Sequence, residues 1–515
     1  MIVKLMSETT INTKRIAKNT MLLYIRMLFM MLITLYTSRV VLNALGVEDY
    51  GIYNLVGGVV SIFSAVSTTL NVAINRFITY ELGTGDKEKL KKVFSTSINI
   101  QLLVIVLFIL IAETLGLWYL NHKMVIPPER LTASNWCFQF SILTFAIGLI
   151  SVPYNSAIIA HERMSAVAYI AIIESIGKLM IAWGIMVSPY DKLIVYSLYM
   201  ALFAFVIRSI YAFYCKHHFE ECAYHFIYEP NLMKQIFGFV GWAFIGVSSW
   251  ALKTYGFVIL INLFFDPIVN AAYAIANQVQ NAVSSLSNNF MMALNPQITK
   301  AYASDNNDYM FKLIFQGARF SAYIMLFMAV PIILYTPYLL ELWLKQVPVH
   351  TVLFVRLVVL MTLLSSITGT LNTAQIATGK IKNYQLVVSP IDLLNIPVTY
   401  ILFRIGFAPE TIIVVAIILG QISLGACLIM LRNMIGISIR KYMREVYFNV
   451  IVVIIASFIF PFYISSFIQE SFSHLLLITF VSLTCSSLAI LYIGCKKEER
   501  EMIYSKAVNV FQNYV

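Results

Sequence analysis

The stretch GIYNLVGGVVSIFSAVSTTLNVAINRFIT, Gly51 to Thr79, returns 220 residues later as AAYAIANQVQNAVSSLSNNFMMALNPQIT, Ala271 to Thr299. Aligned without a gap, the copies share Tyr53/Tyr273, Val59/Val279, Ser64/Ser284, Ser67/Ser287, Ala73/Ala293, Asn75/Asn295, Ile78/Ile298 and Thr79/Thr299, and further on Lys92 meets Lys312. Each copy carries a polar stripe at helical spacing. In the first it is Ser61, Ser64, Thr68 and Asn75; in the second it is Asn281, Ser284, Asn288 and Asn295.

Around these copies the chain is apolar. Of 515 residues 60% are hydrophobic and 12% charged, about half the charged fraction of a soluble domain. Runs of membrane-spanning length begin near Asn19, Tyr50, Val93, Ala133, Ser165, Leu193, Gln235, Val269, Lys312, Val349, Tyr384, Thr411, Val446 and His474, which makes fourteen spans joined by short links. The expected fold class is all-α and integral to the membrane. Six spans lie between the start of one copy and the start of the other, an even number, so the copies point the same way and form a parallel repeat. The reading is therefore a cytoplasmic segment 1–18, a six-helix bundle 19–225, a second bundle 226–433, two additional helices in 434–495 and a cytoplasmic tail 496–515. The basic N-terminal segment lacks a small-residue cleavage site after its long apolar run, so the first helix is expected to remain in place.

A net charge of +11 raises the question of nucleic acid, and its distribution answers it. With a cytoplasmic N-terminus, 24 of the 36 Lys/Arg fall on inside segments, 5 on outside loops and 7 within spans. This is the positive-inside pattern; no nucleic-acid partner is called for. The six cysteines show no framework spacing and read as reduced thiols.

Polar groups within the spans point to function. Asn277, Gln278, Gln280, Asn281, Asn288 and Asn289 crowd the eighth span without a charge, and amides facing hydrocarbon would go unsatisfied. Ser and Thr in the second span also suit close helix packing, whereas so many amides favour a water-filled cavity able to bind sugar hydroxyls. The cations Arg26, Arg39, Lys178, Arg208, Lys253, Arg319 and Arg356 outnumber the acids Glu113, Glu174 and Asp392 within spans. Arg26, Arg39 and Arg208 lie toward helix ends, where snorkelling competes with a cavity role. Glu174 and Lys178, four apart, face the same way as either a structural pair or a proton relay. Lys253 lies near mid-span with no acid on its own helix, which points to an anionic ligand. The loop CKHHFEECAYH, Cys215 to His225, fits no zinc spacing, and Gly379-Lys380 lacks the rest of a phosphate loop. No catalytic residue, metal or cofactor is expected.

Three stretches, LYTSRVVLNALGVEDYGIYNLVGG (Leu35 to Gly58), SVPYNSAIIAHERMSAVAYIAIIESIGKL (Ser151 to Leu179) and YCKHHFEEC (Tyr214 to Cys222), resemble the Wzx-type oligosaccharide flippases of the multidrug/oligosaccharidyl-lipid/polysaccharide exporter (MOP) superfamily. The resemblance runs along nearly the whole chain and is strongest in the first six spans. It implies a MATE-like fold in the bacterial inner membrane and a substrate of undecaprenyl-pyrophosphate-linked oligosaccharide, moved to the periplasmic leaflet for O-antigen or capsule assembly. It also implies a cavity lined by spans 1, 2, 7 and 8, with Arg26 and Lys253 on its wall, and association with a polysaccharide polymerase. In related lipid II flippases two extra C-terminal helices form a groove for the lipid tail, a role open to spans 13 and 14. The expected substrate-binding set is Arg26, Arg39, Lys253, Ser64, Thr68, Asn281, Ser284 and Asn288. Glu174, Lys178 and Asp392 are candidates for coupling to H+ or Na+.

Two rivals stand beside this reading. A multidrug or cation antiporter of the same superfamily calls for acidic cavity residues, and here basic ones prevail. An integral-membrane polymerase or acyltransferase calls for a large outside catalytic loop, and the outside links are short. The charge bias predicts that reporters fused after Lys92 or Lys382 read as cytoplasmic and one after Lys123 as periplasmic. The same side reported at Lys92 and Lys123 would refute the span count.

Overall fold

The structure, a computed structural model, describes residues 2–61, 63–122, 124, 126–265, 267–344, 347–467 and 471–501; Lys123 lies outside them. Fourteen principal helices follow one another: α1 (Ile2–Ser61), α2 (Ser64–Thr84), α3 (Lys87–His122), α4 (Pro128–Ala160), α5 (Met164–Val187), α6 (Lys192–His218), α7 (Pro230–Phe264), α8 (Pro267–Ala303), α9 (Asn307–Leu334), α10 (Thr351–Thr378), α11 (Lys382–Ile405), α12 (Thr411–Ile435), α13 (Ile439–Ser465) and α14 (Phe472–Gly494). A short helix, Thr336–Leu344, precedes α10. Among the described residues, twelve helical stretches are long and apolar enough to cross a membrane. The two expected spans that fall short are those of the repeat, α8 and the segment from the end of α1 through α2. Their amides and hydroxyls lower the hydropathy below that of a lipid-facing helix.

Several helices start where a side chain takes up free backbone N–H groups. Asp86 accepts from Lys89 at the start of α3, Asp191 from Leu193 and Ile194 at the start of α6, and Asn306 from Tyr309 at the start of α9. Within α1 the chain turns sharply at Gly46, whose φ of 81° lies in the region that glycine alone adopts without strain. The first span, Asn19–Gly46, ends there.

The chain divides into two compact units, one of Met1–Val247 with Thr299–Asp305 and one of Ser248–Ile298 with Asn306–Val515. The divisions fall inside α7 and α8 rather than in loops. In unit 1, α4 packs on α6, α1 on α5 and α2 on α4. Ile52, Val56, Phe108, Cys137, Phe138 and Leu193 form the core of this unit. In unit 2, α9 is the hub, packed against α10, α13 and α14. Its small residues Gly317, Ala318 and Ala322 allow that approach.

Arg319 on α9 corrects one reading of the sequence. It donates to the Gly494 carbonyl at 2.8 Å and pairs with Glu499 at 2.5 Å, while Gln316 donates to the same carboxylate at 2.8 Å. This cation therefore fastens the C-terminal hairpin α13–α14 to the hub. All six cysteines are free thiols, and five are buried.

The repeat reaches further than the identities in α2 and α8. In unit 1, Arg130 joins Asp49 through its Nε at 2.8 Å and Asp191 through Nη1 at 2.6 Å. In unit 2, His350 joins Glu410 at 2.6 Å. The pairs 130/191 and 350/410 span 61 and 60 residues; Arg130 and His350 lie at the repeat offset of 220, and Asp191 and Glu410 one residue off it. Each thus ties the start of a unit's fourth helix to the start of its sixth. Burial alone would raise the Asp191 carboxyl, but the Arg130 hydrogen bond and the backbone N–H of Ile194 outweigh it and hold the group below the usual carboxylate range. A carboxylate held low in the folded state adds stability above its unfolded pKa, and that stability is lost as the pH falls through the folded value. Arg130→Met should lower the melting temperature of the detergent-solubilised protein by several degrees, a loss of about 1–3 kcal/mol. Arg130→Lys should recover part of it, since an ammonium cannot serve two carboxylates through a planar fork. The gap between wild type and Arg130→Met should narrow below about pH 4.

Candidate functional site

In unit 2 the polar face of α8 is intact over its length. Asn281 and Asn288 are exposed and Ser284 half-buried, whereas Val283 and Leu294 on other faces are buried. Not every amide is available. Asn289 donates back to the Ser285 carbonyl at 2.8 Å, and Asn295 accepts from Thr373 at 2.7 Å. Two concavities open along the available face. One, of about 400 Å³, is lined by Asn262, Asn270, Tyr273 and Asn277 with smaller residues. The other, of about 140 Å³, brings Ser284 and Asn288 together with Thr362, Ser365, Ser366 and Thr368 of α10. The α10 hydroxyls escaped sequence reading because single Ser and Thr residues in an apolar helix pass for packing residues.

In unit 1 the matching stripe is described at Ser64, Thr68 and Asn75. Ser64 and Thr68 are exposed, and the Thr68 hydroxyl donates to the Ser64 carbonyl at 2.8 Å. Asn75 accepts from Thr79 at 3.0 Å.

The charges sort by unit. On α1, Arg39 is exposed and Arg26 half-buried, with the Tyr211 phenol of α6 close enough to Arg26 to feel its charge. Tyr211 is also within electrostatic reach of Glu174. Glu174 pairs with Lys178 at 2.6 Å on α5, as their spacing predicts. The structure thus gathers Arg26, Tyr211, Glu174 and Lys178 into one membrane-level cluster. In unit 2, Lys253 of α7 meets Asp392 of α11 at 3.1 Å, with both side chains mostly shielded. Sequence reading found no acid for Lys253 on its own helix; the acid comes from another helix, 139 residues away.

The two arrangements are related by the repeat: each unit sets a cation on its first helix and an acid on its fifth. They differ in balance. The unit 2 pair is neutral, whereas unit 1 has the further cations Lys178 on α5 and Arg208 on α6, the latter 5.8 Å from the Tyr154 ring centroid. Of the remaining unit 2 cations, Arg319 is held by Glu499 and Arg356 donates to the Ile333 carbonyl at 3.0 Å. Within spans unit 1 sets Arg26, Arg39, Lys178 and Arg208 against Glu113 and Glu174, and unit 2 sets Lys253, Arg319 and Arg356 against Asp392, with Glu499 beyond the last span taking up Arg319; both units keep a positive surplus. Among the described residues no three His, Cys, Asp or Glu side chains form a metal-binding group.

Over residues 16–302, more than half its length, the chain matches the polysaccharide biosynthesis protein family. It belongs to that family. A search of curated proteins found no match. Solved structures of similar fold include a MATE crystal structure in the bent conformation, with a TM-score of 0.72 at 14% identity over 82% of this chain and 96% of that one. A Vibrio cholerae MATE transporter aligns with a TM-score of 0.68 at 16% identity, covering 83% and 98% of the two chains. A MOP superfamily transporter from Pyrococcus furiosus, described as having a binding pocket of reversed polarity, aligns with a TM-score of 0.69 at 14% identity over 82% and 96%. At these identities the likeness establishes the fold, which is MATE-like. This family member is a multi-pass membrane protein with the fold of a transporter.

Removing one partner of a well-buried ion pair costs about 3–5 kcal/mol, and less where solvent still reaches it. Lys253→Gln alone should therefore reduce the yield of folded, monodisperse protein, and adding Asp392→Asn should restore it. Equal yields of the two variants would mean that the pair contributes nothing to the fold.

Proposed function

We propose that this protein is a flippase for undecaprenyl-pyrophosphate-linked oligosaccharide, carrying it from the cytoplasmic to the periplasmic leaflet by alternating access. The observation that carries the reading is the sign of the charge within the spans: positive in both units, and accompanied by uncharged amides and hydroxyls in unit 2. An exporter of cationic drugs gains from acidic groups, whereas a pyrophosphate crossing hydrocarbon needs cations to replace its hydration. One neighbour of the same fold is described as having a pocket of reversed polarity, so charge pattern varies on this scaffold while the fold persists. Membership of the polysaccharide biosynthesis protein family supports a glycan cargo.

In this mechanism Arg26 and Arg39 receive the pyrophosphate through charge-assisted hydrogen bonds. Lys253 exchanges Asp392 for a phosphate oxygen as the headgroup moves inward. The stripes of α2 and α8 take the sugars, and the lipid tail stays in the bilayer. Glu174, Lys178 and Asp392 are the groups through which an H+ or Na+ gradient would act. On this reading both termini lie in the cytoplasm, as the positive-inside bias favours, in a bacterial inner membrane, with a polysaccharide polymerase as the downstream partner.

The test is complementation of a flippase-null strain carrying the cognate glycan pathway, scored for surface polymer and for lipid-linked repeat units retained inside. Arg26→Gln should abolish or sharply reduce export at normal protein level. Lys253→Gln/Asp392→Asn, which keeps the helices paired without charge, should also fail, while Lys253→Arg should retain more activity than the double variant. Full export by Arg26→Gln and by the double variant together would sink the cationic mechanism.

A further inference from the structure

The smaller cavity of unit 2 has features that helix packing does not explain. It lies where α10 breaks, with Ser366–Thr368 forming a tighter turn between Thr351–Ser365 and Gly369–Thr378. Four hydroxyls gather there, and each spends its proton on its own backbone. Thr362 donates to the Val358 carbonyl at 2.7 Å, Ser365 to Thr362 at 3.0 Å, Ser366 to Leu363 at 2.6 Å and Thr368 to Ser365 at 2.6 Å. Their oxygens are left as acceptors for donors that enter the cavity. Across from them stand Ser284 and the exposed amide of Asn288, which supply donors as well, and Met291 and Met325 give the cavity an apolar side. Small residues used only to bring helices together would close this space.

The repeat provides an internal control. At the offset of 220 that relates Arg130 to His350, the positions of Thr362, Ser365, Ser366 and Thr368 correspond to Ile142, Phe145, Ala146 and Gly148 on α4. None of those four carries a hydroxyl. There the helix runs unbroken from Leu131 to Ala160. The architecture therefore needs neither the break nor the hydroxyls, and unit 2 has acquired both.

We propose that this cavity is a sugar subsite that holds one pyranose ring of the carried glycan. The proposal rests on the flippase reading and adds where the sugar is read. A pyranose presents a rim of hydroxyl donors to the row of acceptors and a C–H face to the two methionines, while Asn288 serves a ring hydroxyl with both ends of its amide. The cavity, of about 140 Å³, is open on one side, so a ring can enter it while the rest of the glycan stays outside. The larger concavity stands seven residues up α8, from Ser284 to Asn277, about 10 Å at 1.5 Å per residue. A neighbouring sugar can reach it.

The test compares two lipids on the full-length protein in nanodiscs: undecaprenyl pyrophosphate, and the lipid-linked repeat unit extracted from flippase-null cells of the cognate pathway. One variant, Thr362→Ile/Ser365→Phe/Ser366→Ala/Thr368→Gly, gives α10 the residues of α4. A milder one, Ser365→Leu, changes only an exposed residue at the cavity and keeps the test open if the fourfold variant does not fold. The fourfold variant should bind the glycan-bearing lipid at least about tenfold more weakly, the loss of two or more neutral hydrogen bonds, and Ser365→Leu about fivefold more weakly, the loss of one; both should bind undecaprenyl pyrophosphate as wild type does. Equal loss for both lipids, or no loss for either, overturns the subsite while leaving the flippase reading intact. If wild type binds neither lipid, the flippase reading itself fails, and the subsite with it.

Discussion

A charge in a bilayer must find a counter-charge or water, and much of this molecule is arranged around that constraint. Lys253 meets Asp392, Lys178 meets Glu174 and Arg319 meets Glu499. Each pair also fixes geometry: the first joins α7 to α11, and the last joins the hub of unit 2 to the chain's tail. The second pair lies within one helix and so leaves α5 free of any cross-link through its acid. In unit 1, Arg26, Glu174 and Lys178 set two cations against one acid, and in unit 2 Arg356 meets a backbone carbonyl rather than an acid.

The polar helices show a second constraint. A helix carrying Asn277, Asn281 and Asn288 on one face cannot rest that face against lipid tails. In a soluble protein such a face would simply meet water, and in this fold it has to meet a cavity or another helix. The structure divides the work. Asn289 and Asn295 are consumed inside the helix or by Thr373, while Asn281 and Asn288 remain exposed. Counting amides along the sequence therefore overstates how many stay available on the open face of α8.

What the sequence disclosed follows from the range of the interactions involved. Helices, their order and the repeat depend on local hydropathy and a fixed offset, and these were legible residue by residue. Glu174 and Lys178 were legible as a pair because four residues make one turn. Lys253 and Asp392 were each legible as a buried charge but not as partners, since nothing periodic links residues 139 apart. Arg130 was hidden differently: as a loop cation it counted toward topology, and only the fold brings Asp49 and Asp191 to it. The hydroxyls of α10 were hidden in composition, because Ser and Thr in a membrane helix signal packing until a cavity is seen beside them.

The clamp between Arg319 and Glu499 sets an order on the making of the protein. The two residues are 180 positions apart, and at about 5–20 residues per second a ribosome needs roughly 9–36 seconds to pass from one to the other. Throughout that interval α9 already carries its guanidinium in the membrane while the carboxylate that neutralises it has not been synthesised. The hub of unit 2 is thus completed last, from its C-terminal end, and a chain cut short before residue 499 keeps an uncompensated cation among its most buried helices.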